Sequence, residues 1–223
     1  MAYVSINDEY LTAIGNTLRD KNGSTATYRP KDMPRAIQNI AIQDEPSVAD
    51  AILSKTIANY SNSRITKIKT NGFYKCANLA TVSAPNVLDV GDSAFCECRN
   101  LVSVNLPNAT IIGSQAFYYC DSLTTITLPK FNYCETAAFK QCTALTTVDL
   151  GEDTTAIGNE AFYLCSNLAT VILRANSVVS IDSKYRPIPT TAKIYVPAAL
   201  LAAYEADSNW ILYTFHTIES LEG

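Results

Sequence analysis

Between Phe73 and Leu173 the chain can be written as five lines that each start at a phenylalanine: FYKCANLATVSA, FCECRNLVSVNL, FYYCDSLTTITL, FKQCTALTTVDL and FYLCSNLATVIL. The phenylalanines are Phe73, Phe95, Phe117, Phe139 and Phe162, spaced by 22 residues three times and then by 23. A cysteine follows each by three residues (Cys76, Cys98, Cys120, Cys142, Cys165). A leucine follows each by six (Leu79, Leu101, Leu123, Leu145, Leu168). A fixed period of this length predicts a solenoid, because one unit is too small to bury its apolar side except against its neighbours.

Within each line the pattern is that of a short strand. In the second, Leu101, Val104 and Leu106 face inward and Ser103 and Asn105 outward. The matching inward sets are Leu79/Val82, Leu123/Ile126/Leu128, Leu145/Val148/Leu150 and Leu168/Val171/Leu173. Pro85, Pro107 and Pro129 end strands, since proline cannot donate to the next rung. A second inward column follows at Val90, Ile112, Cys134 and Ile157. Gly91, Gly113 and Gly158 come directly after it and predict turns of positive φ. Lys69 and Glu135 stand at the same place in other coils and predict corners of different build. Ala94, Ala116, Ala138 and Ala161 precede phenylalanines, where crowded coils need a small residue.

Five of the seven cysteines share one phase. Successive coils lie about 4.8 Å apart, so these five form a single file. Such a column suits buried structural thiols. Disulfide and metal readings stay open, but parallel side chains fit disulfide torsions and tetrahedral ligation poorly. Cys134 reads as a small core residue. Cys96 takes the place held elsewhere by Tyr74, Tyr118, Lys140 and Tyr163, and is expected near solvent.

The flanks differ. Residues 1–45 suit two helices: Ser5 caps the first, with Tyr10, Leu11, Ile14 and Leu18 on one face and Gly23 as its stop. The second starts at Asp32, with Pro34 in its first turn. These helices are too small to stand alone. They serve either as a cap or as an attachment module for an assembly. QDEP (43–46) marks the boundary. Residues 47–55 suit a short helix, and TIANY and RITKI suit the strands of an incomplete first coil. The solenoid is thus expected over 46–181. Over 182–223 the period is lost. There Ile194–Val196 is expected as the last strand, with a helix after Pro197 whose Leu200, Leu201 and Tyr204 cover the open end. Trp210 packs in that cap.

Net charge is −4 with no Lys/Arg cluster, which argues against a nucleic-acid partner. No run of about 18 apolar residues suggests a membrane span. The opening lacks a basic region followed by an apolar core, so cytosolic synthesis and folding are expected. The one histidine, His216, has no companions for a catalytic triad, and no phosphate-binding or metalloprotease motif occurs. No enzyme activity and no cofactor are expected. Asp149, Glu152 and Asp153 read as a solvated edge.

The pattern AFxxCxxLxxVxLP…IG over residues 65–181 resembles the BspA-like leucine-rich repeat family. The opening YLTAIGNTLRDKNG…YRPKDMPRAIQNI and the ending IYVPAALLAAYEADSNW look like segments of tail-associated proteins from phages and prophages of Firmicutes. The resemblance implies an α+β, right-handed solenoid of short parallel strands, with a helical N-terminal segment and a strand-helix cap. It also implies binding and carries over no catalytic residue.

Two outward columns are candidate binding sites. One is the strand face: Thr81, Ser103, Thr125, Thr147 and Thr170, with Asn105, Thr127 and Asp149 beside them, then Ser83 and Ile172. Short hydroxyl residues also simply suit exposed strands. An ice-binding array would need strict Thr-x-Thr pairs, and Thr125/Thr127 is the single one in the column. The second is aromatic: Tyr74, Tyr118 and Tyr163, with Tyr119 adjacent. Exposed tyrosines offer broad contact area at small entropic cost, though they also pack over neighbouring coils. The expected function is a non-catalytic module, virion- or tail-associated, that presents its repeats to a host-surface protein or glycan, with residues 1–45 contacting other assembly subunits. The alternative is an extracellular or cell-surface adhesin.

Overall fold

A computed structural model describes residues 58–222. The helices expected within 1–45 and 47–55 lie outside them. Each full coil contributes one longer strand and one of two residues. In chain order these are β1 (Asn59–Ser61), β2 (Lys67–Ile68), β3 (Thr81–Ser83), β4 (Asp89–Val90), β5 (Ser103–Asn105) and β6 (Ile111–Ile112). They continue as β7 (Thr125–Leu128), β8 (Tyr133–Cys134), β9 (Thr147–Leu150), β10 (Ala156–Ile157), β11 (Thr170–Leu173), β12 (Lys193–Val196) and β13 (Phe215–Thr217). The longer strands form the sheets β1-β3-β5 and β7-β9-β11-β12-β13, and the short ones form β2-β4-β6-β8-β10. Pairing is parallel and links residues one period apart, such as Val82 with Val104 and Val148 with Val171. Equal phases therefore stack, and the fold is the expected solenoid of short parallel strands.

The phenylalanines are buried and stacked. Neighbouring ring centroids lie 5.1 Å apart for Phe73–Phe95 and 5.0 Å for each later pair. Burying each ring is worth roughly 1.5–3 kcal/mol, as is each leucine of the repeat, so the two columns together carry much of the stability. The cysteines are free and buried. Their regular phase has a polar reason as well as a steric one. Cys98, Cys120, Cys142 and Cys165 each donate a thiol proton to the phenylalanine carbonyl of the preceding coil, at 2.9, 3.2, 3.1 and 3.1 Å.

Three expectations need correction. Gly91, Gly113 and Gly158 do not adopt positive φ. What they provide instead is close approach of the coils, since a Cβ there would lie 2.5–2.6 Å from atoms of the preceding coil. The left-handed residue comes two positions later, at Ser93, Gln115 and Glu160, with φ of 52–56°. The Lys69 and Glu135 corners keep the left-handed place, at Asn71 and Ala137, with φ of 59° and 58°. Glu135 N–H donates to Ile112 as Gly113 N–H donates to Val90. Finally, Cys96 is not near solvent but 5% exposed. Its short side chain sits in a column between Tyr74 and Tyr118 and does not reach past them.

β12 is not the last strand, because β13 adds one more rung. Between them lie a 3₁₀ turn, Ala198–Leu200, and a helix, Leu201–Ala206. Tyr204 and Trp210 are buried as expected, and both serve Val179. Val179 N–H donates to the Tyr204 hydroxyl at 3.0 Å, and Trp210 Nε1–H donates to the Val179 carbonyl at 2.8 Å. Leu200 and Leu201 are half-buried against the same core.

Candidate functional site

The coil corner after each phenylalanine presents two outward positions. The first holds Tyr74, Cys96, Tyr118, Lys140 and Tyr163. The second holds Lys75, Glu97, Tyr119, Gln141 and Leu164, all left-handed with φ of 58–61°. This second residue ties the coils together. Lys75, Glu97, Tyr119 and Gln141 donate their N–H to the carbonyls of Cys96, Tyr118, Lys140 and Tyr163 of the next coil. The side chains are thus displayed from a backbone fixed on both sides.

Tyr74 and Tyr163 are 37% and 39% exposed, and Tyr118 and Tyr119 are half-buried. The last two touch, with ring centroids 4.3 Å apart. Partial burial, and then the contact with the Tyr119 hydroxyl, push the Tyr118 phenol up. A cation lies over three of the rings: Lys75 at 5.0 Å from Tyr74, the Arg99 guanidinium at 4.8 Å from Tyr119, and Lys140 at 5.1 Å from Tyr163. Each cation also pairs with a carboxylate one coil on: Glu97, Asp121 and Glu160 respectively. The corner is therefore an aromatic strip with its charges balanced. Sequence reasoning found the tyrosines but missed their cations. The spacing of Arg99 and Asp121, one period apart, was the available signal.

The strand face is more self-occupied. Rungs align Thr81 with Ser103, and Thr125 with Thr147 and Thr170. Ser103, Asn105, Thr125 and Thr127 are exposed, whereas Thr81, Thr147, Asp149 and Thr170 are half-buried. Thr81 donates to Asn59 at 2.6 Å, and Asn105 donates to Ser83 at 3.2 Å. Asp149 accepts two bonds from Arg174, at 2.9 and 3.1 Å. Ile172 is buried at 6% exposure, so it drops out of the outward column. His216 pairs in register with Tyr195, and their rings lie 5.2 Å apart. The histidine thus continues this face, which the sequence did not reveal because β13 is out of period.

No group of three or more His, Cys, Asp or Glu among the described residues is placed to hold a metal ion. No helix among them is long and apolar enough to cross a membrane.

Six copies of the BspA type leucine rich repeat region match residues 66–185. The chain belongs to this family. A leucine-rich-repeat solenoid of this kind is typically a non-catalytic binding scaffold. Among curated proteins none matches the sequence. Among solved structures, the pneumococcal vaccine antigen PcpA is similar, with a TM-score of 0.59 and 18% identity over 72% of this chain and 40% of that one. The chain therefore spans well under half the length of that antigen. The leucine rich repeat protein of T. pallidum is similar too, with a TM-score of 0.52 and 24% identity over 71% of this chain and 85% of that one. At these identities the likeness concerns the fold alone.

Proposed function

We propose that this BspA-type array is a non-catalytic recognition module and that the tyrosine corner, rather than the strand face, meets the partner. The observation that carries this is the rigid display of Tyr118, Tyr119 and Tyr163, each held by its coil and two of them lying under cations. Tyrosine bodies give contact area with little ordering cost, and their hydroxyls supply hydrogen bonds to a protein or a glycan. The strand face supports the role less well, since several of its polar groups already bond to one another. The carrier we propose is a phage or prophage tail, on the resemblance of the opening and closing segments to tail-associated proteins. The second reading, a bacterial surface adhesin, draws on the fold likeness to a pneumococcal antigen. Retention of labelled chain on candidate host cells tests recognition. A Tyr118→Ala/Tyr163→Ala variant should lose it, and a Thr125→Ala/Thr127→Ala variant should keep it; the reverse outcome moves the site to the strand face. Absence of the protein from purified virions of the encoding phage would remove the tail assignment.

A further inference from the structure

In the last turn of the solenoid the arc that leads into the long strand is shorter than in the others, and this opens a notch beside Tyr163. Coil five donates its Phe162 N–H to the Pro187 carbonyl, where earlier coils use the alanine before the next phenylalanine. Pro187 and Ile188 therefore stand in for an alanine–phenylalanine pair. Arg186 fits this alignment: it is left-handed with φ of 41°, as is the residue two before every phenylalanine. From there the turn is cut short. Eight residues separate Phe162 from Thr170 at the start of β11, but five separate Ile188 from Lys193 at the start of β12. The second left-handed corner has no counterpart in this turn.

Three consequences meet in one place. A cavity of about 280 Å³ opens, lined chiefly by Tyr163, Leu164, Arg186, Ile188, Pro189 and Thr190. Leu164 is left 48% exposed. Its N–H occupies the position from which Lys75, Glu97, Tyr119 and Gln141 donate to the next coil, and among the described residues it has no backbone acceptor. Arg186, at the rim, makes no ion pair among the described residues, whereas Lys75, Arg99 and Lys140 on the same side are all paired.

We propose that this notch binds a short peptide segment of a partner protein, seating an aromatic side chain next to a carboxylate. The peptide replaces the missing arc. Its backbone carbonyl accepts from Leu164 N–H, its ring packs on Tyr163, Leu164 and Pro189, and its carboxylate pairs with Arg186. The lining surface is mainly apolar, and its donors unpaired among the described residues, the Leu164 N–H and the Arg186 guanidinium, match a backbone carbonyl and a carboxylate, which favours peptide over glycan. The notch continues the tyrosine strip, so this inference rests on the reading of that strip as a recognition surface.

The test is fluorescence polarisation of the full chain with labelled Gly-Gly-Phe-Asp-Gly, with the Asn analogue as a neutral control and methyl glucuronide as a competitor. The acidic peptide should bind about fivefold tighter than the Asn analogue, the worth of a partly exposed ion pair. Arg186→Gln should erase that difference, and Thr190→Trp, which fills the notch from an exposed position, should abolish binding of both peptides. Unchanged melting of both variants controls for folding. No binding, equal affinity for both peptides in the parent chain, or displacement by the glucuronide alone overturns the proposal. Cell retention separates this from the broader reading. Loss with Tyr118→Ala but not with Arg186→Gln or Thr190→Trp sinks the notch and spares the strip. A parent chain retained on no cell sinks the strip, and polarisation then decides the notch.

Discussion

The sulfur of Cys142 lies 3.1 Å from the carbonyl oxygen of Phe117, one coil earlier. That oxygen also accepts the N–H of Cys120 in its own coil, so the thiol uses its second lone pair. Cysteine recurs at this phase because it is small, apolar enough for the core and still a donor. Cys142→Ala should therefore cost about 1–2 kcal/mol, from the lost hydrogen bond and a small void. Cys142→Ser should cost less, since the hydroxyl keeps the donor. Urea unfolding at neutral pH checks both, and an alanine variant as stable as the parent would show that the bond contributes nothing.

Phe117 sits mid-column, fully buried between Phe95 and Phe139. Truncation to alanine leaves a void that rigid neighbouring coils cannot close, at an expected cost of about 3–5 kcal/mol. Phe73 lies nearer the start of the described array and is 4% exposed. Phe73→Ala should cost less. Equal losses at the two positions, measured by denaturant midpoint, would mean that the stack does not behave as neighbouring coils supporting one another.

Gly151 illustrates a different demand. A Cβ there would run into the carbonyl of Pro129. Backbone on both sides leaves little room for relief, so Gly151→Ala should destabilise by about 1–3 kcal/mol or more. At Gly72 the nearest atom to an added Cβ is the Lys69 carbonyl oxygen at 3.1 Å, which need give by only a few tenths of an ångström, so Gly72→Ala should cost less than Gly151→Ala. Thermal melts of the two variants side by side decide it.

That contrast marks what the sequence made legible. Columns of Phe, Cys and Leu declared an interior, because a side chain recurring at one phase of a stacked repeat meets its own copies. The need for glycine after the second inward column was equally visible. Its cause was not, since a gap in side-chain size looks the same whether it relieves positive φ or a close coil. The left-handed places fell instead to Ser93, Gln115 and Glu160, residues with no such signature. Contacts that join different columns were hidden too. Arg174 reaching Asp149 joins two phases of the repeat, and His216 pairing beside Tyr195 depends on where an out-of-period segment returns to the stack. The notch at Arg186 is legible only once Pro187 is known to replace an alanine.

Buried acids set an alkaline limit. Burial pushes the Tyr204 phenol from 10.0 up to about 12, the Cys96 thiol from 9.0 up to about 11 and the Cys134 thiol up to about 12. Each group is held neutral in the fold and ionises more readily when unfolded. Their contribution is therefore intact below pH 9 and fades as pH rises through the folded values. The urea midpoint should be flat from pH 7 to 8.5 and fall steadily between pH 9.5 and 12. A midpoint that holds across this upper range would place these groups in contact with water.

The tyrosine corner should separate stability from binding. Tyr163 is 39% exposed, and Lys140, which lies over its ring, also pairs with Glu160 at 2.8 Å. Tyr118 is half-buried against Tyr119. Removing both rings should lower stability by at most about 1–2 kcal/mol, within the range of ordinary surface and half-buried substitutions. Retention on host cells should nevertheless fall by tenfold or more, as central aromatic anchors of an interface dominate its energy. A loss of stability matching that of Phe117→Ala would instead assign these tyrosines to packing, and retention would then fall only as far as the folded fraction does.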